Sequence, residues 1–176
     1  PLAVFAWAAL VNSVAIIAAT QIRSIPGVDI GFFSVLFTII PTVYFLTLII
    51  RREERMEERK AGFWEVHGRD IIILLLFFFG TTVSYAFWSF TLPEGSFQTQ
   101  TDKITEIRGT GALTQTDALG SIILNNLQVM GISFIFSLIF GAGSIFIIIW
   151  NASVLGVFIG QFSRALWQIP LVSVNV

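Results

Sequence analysis

Four amides stand in otherwise apolar sequence toward the C-terminal end of the chain: Asn125, Asn126, Gln128 and Asn151. An amide carries two N–H donors and a carbonyl acceptor, and in hydrocarbon each needs a partner. Such residues therefore line a polar path, bind a polar solute or hydrogen-bond a neighbouring helix. Small residues accompany them at helical spacing. Ser133, Ser137 and Gly141 recur at every fourth position, as do Ala152, Gly156 and Gly160. Each set gives a face on which two backbones approach closely, and Gly156 with Gly160 forms a GxxxG pair. The two faces pack on each other, or one packs on another subunit. With a turn centred on Ala142, next to Gly143, Ser133 and Asn151 fall at similar depth, and a hydrogen bond between them is expected to fix register. Asn125, Asn126 and Gln128 begin their apolar run, where interfacial water or a shared polar cavity satisfies them.

Other polar residues carry weaker signals. His67 and Arg69 precede an apolar run and read as an interfacial turn broken by Gly68; the functional alternatives are a headgroup contact by Arg69 or a pH-sensitive His67. Asp102 and Glu106 are four apart, as paired acids would be, but with Lys103 and Arg108 beside them they read as a solvated helix. Ile104 and Ile107 give that helix one apolar edge, suited to the membrane or a partner. Asn151-Ala152-Ser153 matches a glycosylation pattern but lies inside an apolar run. No GxSxG, Walker A or HExxH pattern occurs, and no acidic residue interrupts 71–92 or 121–163. The chain has no Cys and one His, which excludes thiolate and His-cluster metal sites. The expectation is a non-enzymatic protein with no catalytic residue, metal or cofactor.

The elements that must position these residues are membrane helices. Hydrophobic residues make up 55% of the chain and charged ones 12%, a balance of a polytopic membrane protein. The net charge of −1 gives no nucleic-acid signature. Ser121 to Ser163 holds no charged residue; as one helix it would run about 64 Å, roughly twice the hydrocarbon core, so it must fold back at Phe140-Gly141-Ala142-Gly143-Ser144. The reading is an all-α, polytopic transmembrane bundle in a single domain over 1–176, with about five spans and a tight terminal hairpin. The spans are 1–21, 31–50, 71–92, 121–140 and 144–163, with Pro41 kinking the second. A charged helix occupies 51–70 and a long polar loop 93–120. Arg51, Arg52, Arg55, Arg59, Lys60 and Arg69 concentrate in 51–70, which the positive-inside rule makes cytoplasmic, leaving 93–120 extracellular in a multi-pass cell-membrane protein. The chain opens at Pro1 inside an apolar run and closes without a polar tail, so further sequence is expected at both ends.

At the hairpin the sequence resembles a known family. Leu124-Asn-Asn-Leu-Gln-Val129, Phe140-Gly-Ala-Gly143 and Trp150-Asn-Ala-Ser-Val-Leu-Gly156 with Gly160 resemble the stage II sporulation protein M family, most of all its archaeal-type members. His67-Gly-Arg69, Phe97 and Gln100 support the likeness. It runs over roughly 51–160. After Arg164 the pattern departs: Trp167-Gln-Ile-Pro170 keeps only the Ile-Pro of the family's His-Gly-Ile-Pro-Glu-like segment. The resemblance implies a polytopic protein without an enzymatic site, acting as a scaffold beside membrane-anchored peptidoglycan hydrolases in spore formers. Three functions follow for test. The first is a membrane scaffold docking partners in a membrane or envelope-remodelling complex as a homo-oligomer. The second is a transporter or lipid-handling protein with an asparagine-lined path, and the third is an enzyme using His67, Asp102 or Glu106.

Overall fold

The computed structural model of the chain describes residues 2–54, 63–110, 120, 123–124, 127–128, 131 and 143–168. Among them every regular element is a helix: α1 Leu2–Gln21, α2 Ile30–Glu54, α3 Phe63–Thr91, α4 Gln98–Thr110 and α5 Gly143–Gln168. Three helical stretches, Leu2–Gln21, Gly68–Thr91 and Ile145–Trp167, are long and apolar enough to cross a membrane, and Ile30–Leu46 is a shorter apolar helix. The all-α membrane-type bundle is thus present. The spans expected at 121–140 and the charged stretch at 55–62 lie wholly or largely outside the described residues.

One sequence expectation changes. Gly68 does not break a helix, because α3 runs through it without interruption. A Cβ there would meet nothing within 4 Å, so the glycine serves no close approach; its cost of about 1 kcal/mol is small against the long apolar helix around it. Within the polar 93–120 segment, the short helix expected around Asp102 and Glu106 is α4, Gln98–Thr110. Between helices, Ile22–Asp29 and Pro93–Phe97 make turns, each with one glycine at φ +83° (Gly27 and Gly95), a conformation that favours a residue without Cβ.

Packing is arranged around α3, which contacts α5 and α1 most extensively. Gly156 lies over Thr82, Tyr85 and Ala86, and Gly160 over Ala86 and Ser89. The numbers rise together, so α3 and α5 are parallel. The same holds for α1 and α3, from Gly80 on Phe5 and Ala8 to Ser84 on Ser13. By contrast α2 is antiparallel to α1: Trp7 stacks on Phe45 at 3.8 Å while Asn12 pairs with Thr38. Ile16, Val35, Leu46, Phe77, Tyr85, Ile149 and Val157 fill the core. The exterior is apolar too, with Leu10, Ile40, Phe79, Phe87 and Phe162 exposed. Apolar residues on both the inner and outer faces are what a helix surrounded by lipid requires.

Candidate functional site

The polar groups that the bundle brings together are chiefly not those singled out from sequence. Asn12, in the middle of α1, is fully buried between α2 and α3. Its Nδ2 donates to its own helix at Ala8 O (2.8 Å) and across to Thr81 Oγ1 on α3 (3.0 Å). The Ala8 carbonyl fixes the orientation of the amide, since a flipped Oδ1 would face another acceptor. Oδ1 therefore points at Thr38 Oγ1 of α2, 3.1 Å away. One side chain joins three helices. Around it, Ser13 pairs with Ser84 at 3.0 Å and Ser34 with Tyr85 OH at 2.9 Å. Three of these hydroxyls also reach a carbonyl three or four residues back: Ser13 at Ala9, Ser34 at Gly31 and Thr38 at Ser34. That local bond lets Ser and Thr sit in an apolar helix with their remaining lone pairs available across the interface.

A second polar cluster fastens α4. Gln100 is fully buried; its Nε2 donates to Ser153 Oγ on α5 at 3.3 Å, and its Oε1 has no donor among the described residues. Its carboxamide occupies the space where Gly31 of α2 lacks a Cβ. Gln161 Nε2 donates to Thr101 Oγ1 at 2.8 Å, while Phe97 packs edge-on against Tyr85 and Ile104 is buried. The apolar edge foreseen at Ile104 therefore lies on α5, not flat on the membrane. Asp29 closes the arrangement. Its Oδ1 accepts from Phe32 N at 2.6 Å, capping α2. Its Oδ2 accepts from Thr99 N, 3.3 Å away at the start of α4. On the same side Arg164 donates to the carbonyls of Ser89, Phe90 and Leu92, the last turn of α3, where carbonyls lack helical partners and the helix dipole is negative.

The predicted residues are placed as follows. Gly143, Ala152, Gly156 and Gly160 are buried. A Cβ at Gly156 would fall 2.5 Å from the Thr82 carbonyl oxygen and 2.6 Å from Tyr85 Cβ. The GxxxG face is thus covered by α3 of the same chain, which corrects its assignment to a hairpin partner or second subunit. Spacing marks which face carries small residues but not which neighbour fills it. Asn151 is exposed, and its Nδ2 donates to Ile147 O of its own helix at 2.8 Å. Gln128 is exposed; Asn125, Asn126, Ser133, Ser137 and Gly141 lie outside the described residues. His67 and Arg69 lie on the first turns of α3, Arg69 exposed. Asp102 and Glu106 share α4 but bond separately, to Gln98 at 2.7 Å and Lys103 at 2.9 Å. Among the described residues no group of three His, Cys, Asp or Glu could hold a metal.

Two hollows flank the Pro93–Phe97 turn. One, of about 330 Å³, is bounded by Ser89, Glu94, Thr101, Gln161 and Arg164. The other, of about 550 Å³, is bounded by Arg23, Asp29, Glu94 and Gln98. Arg23 and Glu94 have no ion-pair partner among the described residues.

Long apolar helices, an apolar exterior and an interior of mutually bonded hydroxyls and amides define a helical membrane protein. The chain belongs to the Stage II sporulation protein M family, whose sequence model matches residues 73–174. No curated protein and no solved structure matches it.

Proposed function

We propose that the chain is a non-enzymatic integral membrane scaffold of the stage II sporulation protein M type, docking partners in a membrane or envelope-remodelling complex. The observation that carries this reading is how the interior polar groups are used. Asn12, Thr38, Thr81, Ser34 and Tyr85 bond to one another across three helices, which fixes a shape and presents no reactive set. In this reading the charged stretch around 51–70 faces the cytoplasm, following the positive-inside rule, and the 22–29 and 93–97 turns face outward. Docking falls on that outer side, where Arg23 and Glu94 stand beside the two hollows. Self-association, if it accompanies docking, uses a face other than the Gly156–Gly160 stripe.

The competing reading, a transporter or lipid-handling protein with an asparagine-lined path, draws less support. The Asn151 amide bonds its own backbone beside an apolar groove. The test is purification of the full chain from native membranes after mild cross-linking. A stoichiometric protein partner that is lost in Arg23→Ala or Glu94→Ala, with unfolding unchanged, supports the scaffold. A bound lipid or solute with no protein partner overturns it in favour of transport.

A further inference from the structure

But for Asn151 at the start of the α5 stripe, the outward stripes of the crossing helices are apolar: Leu10, Val14 and Ile17 on α1, Leu75, Phe79, Val83 and Phe87 on α3, Leu155, Phe158, Ile159 and Phe162 on α5. The pattern reverses on α4. Apart from Ile107, which borders the groove against α5, the exposed positions among its described side chains are Gln98, Asp102, Thr105, Glu106 and Gly109. These recur at helical spacing and form one stripe without an apolar residue.

The depth of that stripe follows from its neighbours. Thr101 meets Gln161, and further along α4 Ile104 and Ile107 share a groove of about 470 Å³ with Asn151, Val154, Leu155 and Phe158. The apolar stretch of α5 runs from Ile145 to Trp167, so this groove lies at its middle, the level of the hydrocarbon centre for a helix that crosses. Asp102, Lys103 and Glu106 stand at that level. Lys103 and Glu106 pair at 2.9 Å, yet the Glu106 side chain is 56% exposed. Ionised groups facing lipid at the centre of a bilayer are strongly disfavoured, and such residues face water or protein instead.

We infer that the polar face of α4 is one wall of a water-filled vestibule, open on the side of the 22–29 and 93–97 turns and reaching the middle of the bundle. It admits water and small hydrophilic solutes, and excludes acyl chains. The buried face of α4, through Gln100, Thr101 and Ile104, holds this wall against α2 and α5. The inference rests on the reading that α3 and α5 cross the bilayer, and the test separates the two.

The chain has no cysteine, so single cysteines introduced into it report cleanly in membrane vesicles. The probe is a charged, membrane-impermeant methanethiosulfonate reagent. Thr105→Cys and Gly109→Cys sample the polar stripe; a Cβ at Gly109 meets nothing within 4 Å. Ile104→Cys samples the buried face, Leu155→Cys and Phe87→Cys the lipid face, and Glu94→Cys the open turn. Thr105→Cys and Gly109→Cys are expected to react from the same side as Glu94→Cys and at a comparable rate. Leu155→Cys and Phe87→Cys are expected to react at least about 100-fold more slowly, the exclusion a charge meets in hydrocarbon. If the lipid-face positions react as fast as Glu94→Cys, the crossing reading fails and the vestibule with it. If they are protected and the α4 stripe is protected too, the bundle stands and the vestibule is overturned. Equal reaction at Ile104→Cys and Thr105→Cys overturns the one-sided wall.

Discussion

Replacing Gly156 by alanine tests what holds α3 and α5 together. The added Cβ falls 2.5 Å from the Thr82 carbonyl oxygen and 2.6 Å from Tyr85 Cβ. Ordinary contact begins at 3.4 Å, so the helices must part by about 0.9 Å, and no rotamer change moves a backbone oxygen or a Cβ. Overpacking of this kind costs about 1–3 kcal/mol. Against it, alanine favours the helix over glycine by about 1 kcal/mol. The first effect wins because separation also stretches the Ser89 Oγ bond to Val157 O, now 3.2 Å, and the Arg164 bonds to the end of α3. The net expectation is a loss of about 1–2 kcal/mol. Gly160→Ala meets the Ala86 carbonyl oxygen, closer still than Ser89 Cβ at 2.8 Å, and demands a similar separation, so the double variant costs less than the sum of the two. Reversible unfolding in mixed detergent micelles reads the stability, and light scattering reads the mass of the folded species. A Gly156→Ala protein as stable as the parent but of smaller assembly mass would refute the reasoning, because the glycine stripe would then face another subunit.

Three further outcomes follow from the polar contacts. A double-mutant cycle between Asn12→Ala and Thr81→Ala should give a coupling of about 0.6 kcal/mol, the average for hydrogen bonds between membrane helices; detergent unfolding measures it, and zero coupling removes the bond from the fold's support. Arg164→Lys should weaken the end of α3 nearly as much as Arg164→Ala, since one ammonium cannot span three carbonyls as a guanidinium fork does; the loss is about 1–3 kcal/mol, visible as faster proteolysis at the Pro93–Phe97 turn. Asp29→Ala should cost about 1–2 kcal/mol as a lost helix cap and should raise amide exchange in the first turns of both α2 and α4. Exchange rising in α2 alone would show that α4 does not depend on this carboxylate.

The long helices were legible because apolar runs without charge have few other solutions. The run 71–92 falls in α3 but for its last residue, and 144–163 lies within α5. The GxxxG face was legible as a face, but periodicity carries no information about the neighbour, and α3 rather than another span covers it. Asn12 drew no functional reading from sequence: one amide in an apolar helix carries no sign of which way it points, and its partners Thr38 and Thr81 are distant in sequence. A search for polar residues at matching depth in adjacent spans could have proposed the trio. Gln100 entered only through the family likeness, and its burial was not legible, because it sits in a segment whose average polarity reads as solvated. Only the packing of α4 into the space beside Gly31 shows that one face of this segment is interior. In lipid, apolar burial does not distinguish inside from outside, so the scarce polar groups specify the contacts.

The carboxylate of Asp29 has a mechanical consequence. It terminates α2 with one oxygen and receives the first turn of α4 with the other. Anything that pulls α4 away, whether a docked protein or a passing solute, loads the first turn of α2 at the same atom pair. From there the strain enters at Ser34, whose hydroxyl meets Tyr85 at the centre of the bundle. Asp29 thus couples α4 to the buried hydrogen bond between α2 and α3, so a load on one is passed to the other.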